Sequence, residues 1–532
     1  MSKWGQGGPT GPKKYWVMVG HEFELKFVAD AESVARLRKS ETLRAQTVGP
    51  VRTRRLVSTY HDTPDDRLFS AGIAWQIKRN GRAWMQTVAP FNGHGVIHSS
   101  VEARLRTPDA DMQAVPDPQI AEAVKGVLKD ETVLGLRVAT EITRTERRLI
   151  TPKGDIVDLA LDTSDVVAGE AHDRTFEVEL ELKAGTPESL IEIARPLAAD
   201  LPLELSLVSA AERGFRLLKG KPPGKAPWIV LPRDASSAEA LSTILSSCLR
   251  HIALHAAEAR KGESSEAIHQ IRVSLRRLRA VLGDYARAFG CEALRILADR
   301  ARDLAALLSP ARDLDVFLSD ILLPAREFVT YPEALAQLAE NAQNRRVAGW
   351  STARAALDHA DYRLFLIDVA AVALCGLPHI AAGTTPASAL PVRELAGEVL
   401  DRALHKLRNI GERLDELSTE ERHEFRKKLK KLRYPAEFFA SLFDAKGTKK
   451  FFACLTDLQD DLGSLNDVAM ARALLQEMVQ FVAGQNAGCE PHLAMTAGEI
   501  VGWHSCKAER GLKRVAKHWE KFEDAPRFWR KG

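Results

Sequence analysis

The stretch His21-Glu-Phe-Glu-Leu-Lys-Phe27 alternates strictly between charged or polar and apolar side chains. A period of two predicts a β-strand with two unlike faces, because successive side chains of a strand point to opposite sides. The charged face carries Glu22, Glu24 and Lys26. Glutamate is a poor strand former, and alternate side chains on one face are only about 6.6 Å apart. The two carboxylates therefore need a reason to share a face.

A second stretch, Glu177-Val-Glu-Leu-Glu-Leu-Lys183, repeats the pattern. Its carboxylates at 177, 179 and 181 share one face, and two such faces in one sheet repel each other unless cations neutralise them. A solvated outer face is the simpler interpretation. The alternative is that helices cover the apolar sides and that the charged sides line a barrel. Such an interior favours Mg²⁺ or Mn²⁺, with phosphate oxygens completing the metal shell.

The composition is that of a globular protein of several domains. The chain has 532 residues, of which 27% are charged and 45% hydrophobic. The formal net charge of +4 is small, so a polyanionic partner has to be recognised by local clusters of cations. The six cysteines form no C-x-x-C pair, which argues against a disulfide framework and a zinc site. The most apolar stretch, 364–377, is too short to span a bilayer. We expect a cytoplasmic protein.

The pattern changes along the chain from strands to helices. Residues 15–218 are strand-rich, with turn signals such as Asn80-Gly81, and residues 219–234 begin with a Pro/Gly/Lys segment that is typical of a linker. Residues 235–380 and 392–525 are almost wholly helical in pattern and are separated by 381–391. The sequence therefore predicts a multidomain α+β protein with a C-terminal all-α part.

The two helical halves are copies of each other. HQIRVSLRRLR starts at His269 and HEFRKKLKKLR starts at His423, an offset of 154 residues. The same offset links Asp313 to Asp467, far from these motifs. One fixed offset in separate segments predicts two similar helical bundles related by a pseudo-twofold axis.

Each copy carries a basic stripe beside an apolar one. In the first copy the stripe is His269, Arg272, Arg276 and Arg279, and in the second it is His423, Arg426, Lys430 and Arg433. The spacing of three and four residues places each stripe on one face of a helix. A solvated basic face is the simpler interpretation, although like charges on one helix face repel each other. The repetition instead favours a shared basic groove for a polyanion.

The strand-rich part resembles the CYTH domains, also called triphosphate tunnel metalloenzymes, over roughly 15–218. Their E-x-E-x-K signature matches Glu22-Phe-Glu-Leu-Lys26. Further pieces follow in the family's order. These are Tyr60-His-Asp-Thr-Pro64, Gly72-Ile-Ala74, Gln86-Thr87, Arg144, Asp162 and EVELELK. The resemblance implies an antiparallel eight-stranded β tunnel with flanking helices.

The resemblance also implies a reaction, because bacterial members look like metal-dependent hydrolases of inorganic triphosphate. The implied ligands of Mg²⁺ or Mn²⁺ are Glu22, Glu24, Asp162, Glu179 and Glu181. The implied phosphate contacts in the tunnel are Lys26, Lys78 and Arg144, and the implied catalytic residues are Glu24 and Lys26. Phosphoryl transfer spreads charge over the phosphate oxygens, so fixed cations and a metal-activated water suit it.

The chain departs from this pattern on the basic side. Gln76 and Ala89 stand where the family usually has cations, and the region 98–102 replaces an Arg-x-Glu type of segment. Arg104, Arg106 or His94 could compensate for these losses. Losing several phosphate contacts would slow the reaction by orders of magnitude. A weakened enzyme is therefore part of the prediction.

The helical part resembles the CHAD domain, the conserved histidine α-helical domain, over roughly 235–525. Both copies match its H-x-hydrophobic-R-x-x-x-[RK]-[RK]-L-R pattern, and the Asp313 and Asp467 segments follow in register. The resemblance implies that the eight residues of the two basic stripes contact inorganic polyphosphate. His251 and His405 are additional candidates. A histidine close to phosphate would be partly charged and would bind more tightly as the pH falls.

Three functions compete on these grounds. The first is a metal-dependent triphosphatase joined to a polyphosphate-binding domain, and we favour it. The second is a binding module without turnover that localises to polyphosphate, which Gln76 and Ala89 motivate. The third is a nucleic-acid binder that uses the same basic stripes, but few aromatic residues accompany these stripes to stack on bases.

Overall fold

The computed structural model describes residues 23–81, 83–90, 100–129, 133–220, 222–376, 390–485 and 490–530. Glu22, His94 and most of the predicted 381–391 linker lie outside the described residues. The chain forms two compact units. The first contains the described parts of Met1–Lys225, Leu245–Leu254 and Asp358–Ala382, and the second contains those of Ala226–Ile244, His255–Leu357 and Gly383–Gly532. The predicted domain boundaries stay predictions.

The first unit is built on one antiparallel sheet of nine described strands, in the order β5-β4-β3-β2-β6-β7-β8-β1-β9. The strands are β1 (Glu24–Ala29), β2 (Thr47–Asp62), β3 (Ile73–Asn80), β4 (Ala83–Pro90), β5 (Val101–Leu105), β6 (Gly135–Ile150), β7 (Ile156–Ala168), β8 (Ala171–Ala184) and β9 (Glu204–Ser206). The predicted antiparallel class is confirmed, with one strand more than expected. The additional strand is the short β9, which pairs with β1 through Leu205 and Phe27.

The register of the sheet collects the charged residues on one face. Lys26 lies opposite Glu179, and Arg144 lies opposite Asp162. Because side chains alternate along each strand, these residues share a face, while Leu25 and similar residues point to the other side and are fully buried. Helix α1 (Ala31–Lys39) packs on β8, and α5 (Glu188–Asp200) packs on β1 and β8.

Helix α6 (Ala210–Lys219) packs on the charged face of the sheet. A Cβ placed on Gly214 would clash with Val138 Cγ1. Val138 lies six residues before Arg144 on β6, so it belongs to the charged face. Phe215 stacks on Phe69, with the ring centroids 4.7 Å apart. The residue before Gly214, Arg213, is thereby held over the charged face.

The remaining described helices of the first 219 residues are short or peripheral. They are α2 (Glu41–Ala45), α3 (Arg67–Ser70) and α4 (Pro118–Leu128). Beyond residue 235 the regular structure is helical. The helices are α7 (Ser237–Lys261), α8 (Ser265–Phe289), α9 (Glu292–Leu307), α10 (Ser309–Val316), α11 (Leu323–Ala325), α12 (Pro332–Asp358), α13 (Ala360–Cys375), α14 (Val392–Gly411), α15 (Thr419–Phe439), α16 (Ala445–Gln485) and α17 (Glu490–Glu523). A π-helical turn, Phe317–Leu322, joins α10 to α11. This confirms the all-α prediction.

The sequence repeat appears in the start points of the helices. Ser264 caps α8 by accepting a hydrogen bond from Ala267 N, and Ser418 caps α15 by accepting one from Glu421 N. The two capping serines are separated by the same 154 residues as the basic motifs. The predicted apolar stripe of α8 is buried, including Ile271 and Leu275. Nowhere in the described part of the chain does a helix have the length and apolarity to cross a membrane.

Candidate active site

The centre of the charged face is a buried carboxylate between two cations. Lys26 Nζ lies 3.1 Å from Glu177 Oε2, and Arg213 donates to Glu177 Oε1. Glu177 is 0% exposed. Burial alone would raise the pKa of Glu177, but Lys26 and Arg213 hold it below its ordinary value. The carboxylate is therefore ionised at neutral pH and positions both cations.

A second group of ion pairs lies beside the first. Arg144 donates from Nε and Nη2 to Asp162, with a shortest distance of 2.7 Å, and its Nη2 is also 2.8 Å from Glu179 Oε2. Burial would lower the pKa of Arg144, but the two carboxylates raise it. Lys26 also lies 3.8 Å from Glu179. Predicted phosphate contacts and predicted metal ligands thus neutralise each other in the ligand-free protein.

The electrostatic environment of Glu24 differs from that of Glu177. Burial and the charge of Glu179 raise its pKa to about 8, although Lys26 and Arg144 oppose the shift. Glu181, which accepts a hydrogen bond from Lys183, adds to the repulsion. The described residues contain no three His, Cys, Asp or Glu side chains arranged as a metal site, and Glu22 is not among them. With this raised pKa, Glu24 is mostly protonated at neutral pH.

The opposite wall is neutral where the family usually carries a cation. Gln76 Nε2 donates to Ser58 Oγ and to Tyr60 Oη, both at 3.0 Å. Burial raises the pKa of Tyr60 to about 12, while the nearby charge of Lys26 lowers it. Tyr60 is on β2 and Lys26 is on β1, and three strands separate them in the sheet. The effect of the Lys26 charge on Tyr60 across these strands indicates that the sheet curls, with its charged face concave.

The remaining positions of the neutral wall follow from the register. Ala89 lies opposite Ala74 and two residues from Thr87, which itself lies opposite Gln76, so Ala89 also belongs to the charged face. Lys78 Nζ lies 3.0 Å from Glu102 Oε1, and these side chains are 38% and 46% exposed. Lys78 is therefore at the rim. Arg104 lies opposite Met85 and shares this face, whereas Arg106 follows the end of β5.

The basic stripes of the helical part are only partly free of internal partners. Arg272 Nη1 donates to Ser309 O and Asp313 Oδ1 at 2.9 and 3.0 Å. Arg433 donates to Glu437 at 2.7 Å. By contrast, Arg276 has a buried Nε with no hydrogen-bond partner among the described residues.

The histidines of the stripes differ in environment. Burial, followed by the charge of Arg312, lowers the pKa of His269 to about 4, so this ring is neutral at neutral pH in the phosphate-free protein. His423 and His405 are exposed, whereas His251 is buried. Lys430 and Arg426 are half-buried on α15. The side chain of Asp467 lies outside the described residues.

Cations of the two copies approach each other between α8 and α15. Burial lowers the pKa of Lys431, and the charges of Arg279 and Lys406 lower it further. Arg279 belongs to the stripe of the first copy, and Lys431 lies next to Lys430 of the second stripe, so cations of the two copies lie close enough to repel each other.

Two family models match the chain, the CYTH domain over residues 20–215 and the CHAD domain over residues 243–476. The chain joins a CYTH domain to a CHAD domain. The Inorganic triphosphatase of Haemophilus influenzae (strain ATCC 51907 / DSM 11121 / KW20 / Rd) is 24% identical over 197 residues, which are 37% of this chain and 54% of that protein. The chain thus spans about half the length of this curated relative.

Solved structures similar to the chain include the CHAD domain from the plant Ricinus communis. It is 26% identical with a TM-score of 0.48, and the match covers 56% of this chain and 96% of that one. PptA from Streptomyces chartreusis is 17% identical with a TM-score of 0.43, and the match covers 54% of this chain and 100% of that one.

The CYTH domain contains charged residues that sequence reasoning missed. Arg213 reaches Glu177 from α6, and no period or motif in the helix marks it as part of the site. Arg148 pairs with Asp158 at 2.8 Å on the charged face. Asp158 could have been predicted to join the charged face, because it lies four residues before Asp162 on the same strand and hence on the same face.

Proposed function

We propose that the CYTH domain hydrolyses inorganic triphosphate with Mg²⁺ or Mn²⁺ and that the CHAD domain binds polyphosphate. The observation that carries the first part is the set of buried ion pairs on a concave face. Lys26, Arg144 and Arg213 are held there by carboxylates, and α6 packs against the same face. A polyanion can exchange these carboxylates for its own oxygens.

The donor set fits a divalent cation. Carboxylate oxygens are the hard ligands that Mg²⁺ and Mn²⁺ prefer, and a bound cation would offset the burial and the repulsion by Glu179 that keep a proton on Glu24. The residues that would hold it are Glu22, Glu24, Asp162, Glu179 and Glu181. When bound, the ion would neutralise phosphate charge and lower the pKa of a water nucleophile.

The protein's own side chains do the rest of the work. Lys26 and Arg144 orient the phosphate chain and stabilise the charge that spreads over its oxygens in the transition state. Arg213 holds Glu177 ionised and closes the end of the face at α6. Glu177 is fully buried there, which strengthens its interactions with these cations.

A second candidate is a CYTH domain that binds phosphate chains without turnover. It is favoured by the neutral wall, where Gln76 and Ala89 supply no charge at two positions of the charged face. The two candidates bind the same ligand, so they differ only in whether the ligand is hydrolysed and phosphate is released.

The deciding experiment measures phosphate released from tripolyphosphate by the full chain in a series of metals. We expect activity with Mg²⁺ or Mn²⁺, and a loss of at least 100-fold in Glu24→Gln, by analogy with other transition-state contacts (about 10²–10³-fold). Glu192→Gln, a change at an exposed residue, is the matched control and should keep full activity. Release no greater than that of Glu24→Gln would refute hydrolysis and leave the binding module.

Polyphosphate binding is tested separately on the CHAD domain. Binding should weaken steeply with salt, because a dense polyanion releases counterions when cations neutralise it. Charge reversal at Arg276 and Lys430 should reduce the affinity at least tenfold. Unchanged binding would refute the polyphosphate part. Competition by RNA at equal phosphate concentration would instead indicate a nucleic-acid binder.

A further inference from the structure

The outer side of the CYTH sheet carries a buried arginine next to the elbow between α1 and α2. Arg147 is on β6, three residues from Arg144, so its side chain leaves the opposite face of the sheet. It is 5% exposed. Its Nη2 donates to the carbonyl oxygen of Arg38 at 3.4 Å, which is a long hydrogen bond. Arg147 is therefore no part of the charged tunnel face.

The charge of Arg147 is uncompensated among the described residues. Its Nε is buried without a hydrogen-bond partner. Burial lowers the pKa of Arg147, and the nearby charges of Arg44 and Arg38 lower it further, with no carboxylate opposing them. Buried charges in proteins are normally paired or bind an ion. A guanidinium held beside two like charges indicates that an anion completes the group.

A purely structural role explains only part of this arrangement. Helix α1 ends at Lys39, and a cation near a helix C-terminus stabilises the last carbonyl groups. The contact from Arg147 to Arg38 O is of this kind. It uses one of the five N–H donors of the guanidinium, and it does not require Arg38 and Arg44 to stand beside it.

We propose that Arg147, Arg38 and Arg44 form an anion site for a phosphate group, supplied either by free orthophosphate or by the end of a polyphosphate chain. Guanidinium groups bind phosphate oxygens through pairs of parallel hydrogen bonds. Arg38 and Arg44 are exposed and meet the ligand from solvent, while Arg147 forms the floor of the site. The site is independent of the proposed hydrolysis, since none of its residues lies on the tunnel face.

The test is hydrogen exchange of the full chain, read by mass spectrometry in EDTA. Orthophosphate should slow exchange several-fold in peptides that cover residues 36–48 and 143–149. Arg147→Met should abolish this protection. It should also keep or raise the melting temperature without phosphate, because it removes an uncompensated buried charge. Lys125→Ala, an exposed change on α4, is the control that keeps the protection.

Two arms identify the source of the phosphate group. Protection by orthophosphate assigns the site to the free ion, and protection by long-chain polyphosphate alone assigns it to a chain. Should Arg147→Met fail to fold, the double variant Arg38→Ala with Arg44→Ala should lose most of the protection. The proposal is overturned if neither phosphate protects these peptides, or if protection persists in the variants. Triphosphatase activity should be unchanged in each folded variant.

Discussion

At the scale of single residues, Gln76 is the clearest departure from an all-charged tunnel. Its amide donates to Ser58 and Tyr60, so it occupies the position of a cation without supplying charge. We predict that Gln76→Arg raises kcat/KM for tripolyphosphate about tenfold, because it adds a donor that strengthens in the transition state. The assay is phosphate release at low substrate concentration.

The matched control for this change is Gln76→Met, which has a similar length and no charge. It should leave kcat/KM at or below the value of the unchanged protein. An equal gain in both variants would mean that the side chain acts through packing, and the prediction would then be wrong.

Asp284 on α8 provides a test of pH dependence. Burial raises its pKa to about 6, against the opposing charges of Arg287, Arg402 and Lys406. An acid with a raised pKa in the folded state contributes stability that is full below the unfolded pKa, near 3.8, and is lost as the pH rises through about 6. Asp284→Asn should therefore be more stable than the unchanged protein above pH 6 and equally stable below pH 4.

The expected gain above pH 6 is about 1–2 kcal/mol, since one unit of pKa corresponds to about 1.4 kcal/mol and the side chain is still 23% exposed. Urea unfolding at several pH values measures it. Asp303→Asn, at an exposed site on α9, should show no such pH dependence. A constant difference across the pH range would contradict the assignment to Asp284.

At the scale of elements, α6 packs closely on the sheet because one of its residues, Gly214, has no side chain. Gly214 lets the helix approach Val138 and Val166 on the charged face. Gly214→Ala should destabilise the protein by about 1–3 kcal/mol, as overpacking usually does, and should reduce triphosphatase activity by displacing Arg213. Thermal unfolding and activity are measured together.

Gly126 on α4 is the control, because a Cβ there would meet open space. Gly126→Ala should be neutral or slightly stabilising, since alanine is the better helix former. If Gly214→Ala behaved in the same way, the close contact between α6 and the sheet would not matter for folding.

The sequence was informative where a side-chain period decides the answer. The alternation around Glu24 and Glu179 placed both carboxylates on the charged face, and the offset of 154 residues placed the helix starts. The short β9 also had a signal, because Leu203, Leu205 and Leu207 alternate with other residues. What alternation cannot supply is register. The pairing of Arg144 with Asp162 depends on which residues of β6 and β7 lie opposite each other.

The roles of Arg213 and Arg147 could not be predicted from the sequence for a different reason. Arg213 lies on a helix that packs back on the sheet. Glu177 and Arg213 are far apart along the chain, and only tertiary packing brings them together. Arg147 stands in the same strand as the tunnel residues but on the other face. Its importance arises because no carboxylate among the described residues compensates its charge, which no sequence pattern shows.

At the scale of the whole molecule, the duplicated basic stripes should act together on one polyphosphate chain. Each phosphate contact that is removed should reduce the slope of log affinity against log salt by about 1, by analogy with nucleic-acid binding. We predict this for Arg276→Met and for Lys430→Met, and twice the reduction for the double variant. Binding titrations at four salt concentrations give the slopes.

Arg302→Met is the control, since this arginine on α9 already pairs with Asp299 and Asp303 at an exposed surface. Its slope should equal that of the unchanged protein. If only one of the two stripe variants changed the slope, a single copy of the repeat would bind the chain.

Under the proposed hydrolysis, the ion pairs of the CYTH domain have a consequence for the end of each reaction cycle. When an orthophosphate leaves, Arg144 has Asp162 and Glu179 within 3 Å, and Lys26 has Glu177 at 3.1 Å. These carboxylates compete with the product for the same cations. Inhibition by accumulated orthophosphate should therefore be weak, and the inhibition constant should lie well above the KM for tripolyphosphate.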